Sequence, residues 1–246
     1  MAPQQGFEYE KNAAKLLKEY KLCPKEFMPA GASHDQPDIM LQYKGVKAGC
    51  ELKITMASAG SLVLKYQDNK WTFGNIPAAD IEKRFIADLA ESVKLFSLIK
   101  KQWKEIPFKR EPHDDLWNAT AGKLDRQKQY ERDRDTFPDI KVNVPATMIE
   151  RYYNRKKTYY VNVGTHGFYL FGHANPLKLK GVPLFSSAAT ATLRTRVQYK
   201  GSGNYQFTTE MQFQIPSAKK SPYNIAPISG NSVTINKRDL NLSCFL

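Results

Sequence analysis

Cysteine is scarce in this chain: Cys23, Cys50 and Cys244 are the only three in 246 residues. An odd number without metal-ligand spacing argues against a disulfide framework and a structural zinc. The expectation is reduced thiols in an intracellular protein, cytoplasmic, or nuclear in a eukaryotic or viral setting. The four histidines, His34, His113, His166 and His173, form no zinc pattern either. No apolar run approaches the ~20 residues that span a bilayer, and Met1 to Gly6 lack the basic-then-apolar order of a signal peptide. There is no internal repeat, P-loop, Gly-x-Gly-x-x-Gly or nucleophile elbow. Gly201-Ser202-Gly203 reads as a hairpin turn, because no helix follows it. Acidic residues are in deficit, 24 against 37 Lys and Arg, for a net charge of +13. That balance favours a polyanionic partner. A membrane surface would require a basic amphipathic helix with a free apolar face, and none is legible. Nucleic acid is therefore the expected partner, with no membrane.

What is present centres on residues 36–54. Ile39, Leu41 and Tyr43 alternate with Met40, Gln42 and Lys44; Lys44-Gly45 supplies a turn; a second strand runs from about Val46 to Ile54. Side chains two apart share a strand face, so Glu51 and Lys53 point one way and Leu52 the other. The hairpin returns Asp38 to the neighbourhood of Glu51. Two adjacent carboxylates repel unless a cation sits between them, and oxygen-only ligands suit Mg²⁺, with Mn²⁺ as a substitute. A lysine beside such an ion can orient or deprotonate a water or offset charge on a phosphate. The pattern predicts an apparatus for phosphodiester hydrolysis. Its competitor is a surface hairpin with solvated charges.

Pro37-Asp38, twelve intervening residues and Glu51-Leu52-Lys53, set in strand–turn–strand with a helix on either side, resemble the PD-(D/E)XK nuclease superfamily. The resemblance covers about the first hundred residues. It implies a mixed α/β, restriction-endonuclease-like fold, with a central mixed sheet flanked by helices and here an added β-rich C-terminal half. It also implies catalysis by Asp38, Glu51 and Lys53, with metal held by Asp38 and Glu51. In many members a glutamate on the preceding helix reaches the metal. Gly6, Glu10, Ala13-Ala14 and Leu16-Leu17 resemble that local pattern, which selects Glu10 over Glu8. The alternative for Glu10 is a solvated pair with Lys11 or Lys15. His34 and Asp35 lie near the expected site, either behind its ligands or as an exposed loop pair.

Along the chain, Phe7 to Tyr20 has helical apolar spacing, ended by Pro24, and Glu26 to Ala30 reads as a short strand. Thr55 to Gly60 reads as a small, polar, flexible loop. Ser61–Tyr66 and Lys70–Phe73 form a hairpin around Asp68-Asn69, where Lys65 and Lys70 are candidate phosphate contacts and Gln67 a candidate base contact. Ala78 to Glu105 carries the longest helical signal, through Ile81, Phe85, Leu89, Val93, Phe96 and Ile99. Residues 106–137 are polar and charged, an insertion or exposed helix. Pro138 to Val144 reads as a strand and Ala146 to Lys157 as a helix ending in Arg155-Lys156-Lys157, two of which, Arg155 and Lys156, are candidate nucleic-acid contacts. Thr158–Val163 and Phe168–Phe171 make an aromatic hairpin. Ala188 to Lys200 alternates, presenting Arg194 and Arg196 opposite Leu193 and Val197, and Tyr205 to Ile215 pairs back.

The expected organisation is a catalytic core over 1–105, a charged insertion or exposed helix over 106–137 and a β-rich half over 138–246 that extends the core, with a single domain overall as the alternative. The expected function is a Mg²⁺-dependent DNA endonuclease, restriction-type favoured, with a homodimer if the target is palindromic. Resolvase, exonuclease and RNA endonuclease stay open. Other classes are a catalytically silent nucleic-acid-binding protein on the same fold and a structural β protein. The first does not need Asp38, Glu51 and Lys53 together, and the second does not explain them.

Overall fold

The strand alternation on either side of Lys44-Gly45 produces the expected hairpin: β1 (Ile39–Tyr43) pairs antiparallel with β2 (Val46–Lys53). Lys44 and Gly45 both adopt positive φ, 47° and 81°, the geometry of a tight two-residue turn. The structure is a computed structural model and describes residues 3–29, 36–55, 58–107, 123–200, 204–229 and 233–246. His34, Asp35 and the expected turn at Gly201-Ser202-Gly203 lie outside the described residues, as do Met56 and Ala57 and most of the Pro-rich stretch after Ile106; of the loop expected over 55–60, Ser58 to Gly60 instead begin a strand, Ser58–Gln67. Chain order is α1 (Pro3–Glu19), β1, β2, β3 (Ser58–Gln67), β4 (Lys70–Phe73), α2 (Ile81–Ser92), α3 (Leu95–Gln102), α4 (Lys123–Thr136), β5 (Ile140–Asn143), α5 (Ala146–Arg155), β6 (Thr158–Val163), β7 (Gly167–Leu170), α6 (Phe185–Ala188), β8 (Thr190–Lys200) and β9 (Asn204–Gln214). The fold is mixed α/β with two sheets. Among the described residues no helix is long and apolar enough to cross a membrane.

The chain divides into two compact units, one of Met1–Ala57, Pro145–Thr190 and Phe213–Leu246, the other of Ser58–Val144 and Ala191–Gln212. This division is not the linear one of 1–105, 106–137 and 138–246. The first unit holds a four-stranded sheet in the order β1-β2-β6-β7. β6 runs parallel to β2, and β7 returns antiparallel to β6. Ile39, Leu41, Cys50 and Leu52 share a core with Tyr9, Ala13, Ala14 and Leu17 of α1. Burial of those side chains supplies the main driving force, at about 1.5–3 kcal/mol for each large apolar group. Tyr9 donates its hydroxyl to Ala226 O, and Asn162 bonds the same segment through Ala226 O (3.2 Å) and Ile225 N (3.1 Å). The tail docks here too, with Cys244 and Phe245 buried and the Phe245 ring edge-on to Tyr43 at 5.5 Å. All three cysteines are free and buried.

The second unit holds a five-stranded sheet in the order β4-β3-β9-β8-β5. Trp71, Trp103, Phe137 and Phe207 form an aromatic cluster on its core side, with neighbouring ring centroids 4.7–6.4 Å apart. Three expectations are corrected. Residues 26–29 form no strand, because Pro24 and Pro29 withhold donors and Phe27 N instead closes a turn on Pro24 O (3.1 Å). The single helix over 78–105 is two helices, broken where Lys94 turns left-handed at φ 52° so that Leu95 becomes buried. α4 is not a solvated helix along its length: Arg126, Gln129 and Asp133 are buried, and Asp133 accepts the Tyr205 hydroxyl.

Candidate active site

The site lies within the first unit and starts from the register of β1 and β2. Ile39 pairs with Cys50, so the next position outward sets Asp38 against Glu51. Asp38 is pinned there by the Leu52 amide, which donates to Oδ2 at 2.8 Å. On β2, Lys53 Nζ donates to Glu51 Oε1 at 2.6 Å, and both side chains are largely buried. The structure therefore brings together the three residues singled out by spacing.

Glu10 joins the cluster from α1. Its Oε2 is buried and without a hydrogen-bond partner among the described residues. Burial, then the charge of Asp38, pushes its carboxyl up to about 8; Lys53 opposes this and Glu51 adds to it. Burial and then Glu51 push Asp38 up to about 7, against the pull of Lys53, the Leu52 amide and Lys156. Glu10 and Asp38, both with raised proton affinity and both beside Glu51, form an electrostatically unfavourable set. A hard divalent cation would relieve it, and oxygen donors are its chemistry. Glu10, Asp38 and Glu51 thus suit such an ion as a donor set. Among the described residues, no three acidic, His or Cys side chains stand ready-made around one point; Glu51 instead faces ammonium groups.

One of those ammonium groups was not expected here. Lys156, read from sequence as part of a nucleic-acid-facing basic run, stands at the end of α5 with Nζ 3.8 Å from Glu51 Oε2. Its neighbour Arg155 is exposed. The apolar spacing of α5 buries Ile149, Tyr152 and Tyr153, and the helix packs on β6. Only the parallel pairing of β6 with β2 then sets the helix end beside Glu51. No short-range signal predicts that meeting.

The other candidates belong to the second unit. Lys65, Gln67 and Lys70 are on the β3–β4 hairpin, where Gln67 pairs with Lys70. Arg194 and Arg196 are on β8. All five fall on one face of the five-stranded sheet, opposite the buried Leu62, Leu64, Leu193 and Phe207. Arg194 is paired with Asp139 at 2.5 Å and Arg196 with Glu210 at 3.1 Å, pairings that alternation alone did not reveal. Comparison with family models, with curated proteins and with solved structures returned no match to this chain.

Proposed function

We propose that the chain is a divalent-metal-dependent DNA endonuclease, with its active site in the first unit. The observation that carries the reading is the convergence of Glu10, Asp38, Glu51 and Lys53, with carboxyl groups held above their usual range in a partly buried cluster. Perturbed acids of this kind concentrate at catalytic sites. We assign the first unit a restriction-endonuclease-like core, on the strength of an antiparallel hairpin followed, after a helix, by a strand parallel to its second member.

Glu10, Asp38 and Glu51 would hold Mg²⁺, or Mn²⁺ in its place. When bound, the ion would polarise the phosphate and stabilise the leaving oxygen. Asp38 is oriented for this by the Leu52 amide and Glu51 by Lys53. Lys53 positions the water that attacks phosphorus in line and offsets negative charge as it develops. The basic, amide-bearing face of the second unit contributes duplex contacts through Lys65, Gln67, Lys70, Arg194 and Arg196. A restriction-type enzyme acting as a homodimer on a palindrome is the favoured form.

The test is plasmid cleavage in Mg²⁺ or Mn²⁺, wild type beside Lys53→Ala and Asp38→Ala. Wild type is expected to cut, and each variant to lose roughly 10²–10⁴-fold in rate, the range for a positioned acid–base group. Equal cutting by all three would sink the site assignment. Tight gel-shift binding without cleavage of DNA or RNA by any of them would favour the catalytically silent reading.

A further inference from the structure

The end of α5 delivers a second lysine to the carboxylate cluster. Lys53 holds Glu51 Oε1 at 2.6 Å, whereas Lys156 faces the other oxygen, Oε2, at 3.8 Å. The Lys156 side chain is 8% exposed, against 23% for Lys53. Ammonium groups are almost never held so deep unless paired. Its Nζ also lies 5.5 and 5.6 Å from the ring centres of Tyr152 and Tyr153, so the stem is packed and the charged tip aimed.

Backbone contacts fix this placement. Gly49 N donates to Lys157 O at 2.9 Å, at the point where the β2–β6 register shifts. A Cβ on Gly49 would stand 2.7 Å from Lys157 O and 2.7 Å from Pro37 Cβ. The segment carrying Lys156 and the one carrying Asp38 therefore close on the same glycine. A salt bridge at 3.8 Å is long for a lysine whose only task is to neutralise Glu51, when 2.6 Å is reached by Lys53 on the same carboxylate. A phosphodiester entering three carboxylates needs cationic partners that those carboxylates do not fully consume.

We propose that Lys156 is a second phosphate-binding lysine of this site, giving its ammonium to a non-bridging oxygen of the nucleic-acid substrate. The inference rests on the nuclease reading above and assigns the substrate contact within it. A lysine that only steadied Glu51 would behave differently: its removal would loosen a ligand and weaken metal uptake together with everything else.

The experiment compares wild type, Lys156→Gln, Lys156→Arg and Lys53→Gln in three measurements. These are the melting temperature, Mn²⁺ affinity by calorimetry, and affinity for a fluorescein-labelled duplex DNA in Ca²⁺. Lys156→Gln is expected to take up Mn²⁺ at least as tightly as wild type, since a positive charge has left the ligands' surroundings. It is expected to bind the duplex about tenfold or more weakly, the worth of one charge-assisted hydrogen bond, with Lys156→Arg recovering most of the affinity. Should the Gln variant not fold, Lys156→Met keeps the stem over the tyrosine rings and reads the same quantities. Duplex affinity unchanged in Lys156→Gln overturns the inference while leaving the nuclease reading in place, as does Mn²⁺ affinity falling in step with duplex affinity. A wild type that takes up no Mn²⁺ and neither binds nor cuts DNA overturns both.

Discussion

Asp38 and Glu10 are held, chiefly by burial and then by neighbouring carboxylates, at about 7 and about 8 against ordinary values of 3.8 and 4.5. In metal-free protein the folded state therefore keeps protons that the unfolded chain has already released. More protons bound when folded means that stability falls as pH rises. The contribution is complete below about pH 4 and disappears as pH passes through 7 and 8. Asp38→Asn should accordingly raise the melting temperature at about pH 9 in the presence of a chelator, and leave it nearly unchanged at about pH 4. A thermal melt at the two pH values checks this; a lower melting temperature at the alkaline end would mean that Asp38 is not destabilising in metal-free protein. The identities of Asp38, Glu51 and Lys53 were legible because strand alternation and a two-residue turn are short-range facts. Lys156 was not legible, since a basic triplet at a helix end looks the same whether it faces solvent or a carboxylate.

At the scale of elements, the hairpin β1–β2 and the helix–strand pair α5–β6 meet at Gly49, whose missing Cβ lets both Pro37 and Lys157 approach. Gly49→Ala should cost about 1–3 kcal/mol by overpacking. It should also reduce cleavage more than a surface variant of equal stability does, because Asp38 and Lys156 both move. Urea unfolding beside a cleavage assay separates the two effects. The helix over 78–105 shows where element-level reading stops. Leu89, Val93, Phe96 and Ile99 continue the helical period across the break, and the left-handed turn at Lys94 uses neither glycine nor proline. The break serves packing: Leu95 and Ile99 are buried, while Phe96 meets Phe73 at 4.8 Å. α4 departs from expectation in the opposite sense. It lacks an apolar stripe, yet buries Gln129 and Asp133; apolar periodicity is blind to a polar side chain such as Asp133, which is buried with the Arg132 guanidinium and the Tyr205 hydroxyl as partners.

For the whole molecule, a net charge of +13 would, on the proposed function, make association with DNA a matter of counterion release. Affinity for a duplex should fall steeply and linearly on logarithmic axes as salt rises. Lys65→Gln with Lys70→Gln should lower the slope by about two, close to one for each phosphate no longer neutralised. A filter-binding or anisotropy titration across salt concentrations measures it, and an unchanged slope would take the β3–β4 hairpin out of the interface. The Arg194 and Arg196 pairs with Asp139 and Glu210 predict smaller changes from those positions, since part of their charge is already met within the sheet.

Residue order alone accounts for the hairpin, its turn, the side of the sheet to which Glu51 and Lys53 point, most of the other strands and the overall charge. These follow from period-two alternation, from residues suited to positive φ and from composition, all local or additive properties of the chain. Long-range packing was needed to settle that the sheet carrying the motif takes its other strands from residues 158–170, and that α2 packs instead against β3 of a second sheet. It was needed, too, to bring Lys156 to the cluster at Glu51. Parallel pairing between distant segments is selected by burial and by the fit of whole faces. That free energy belongs to the assembled core, and no window of neighbouring residues carries it.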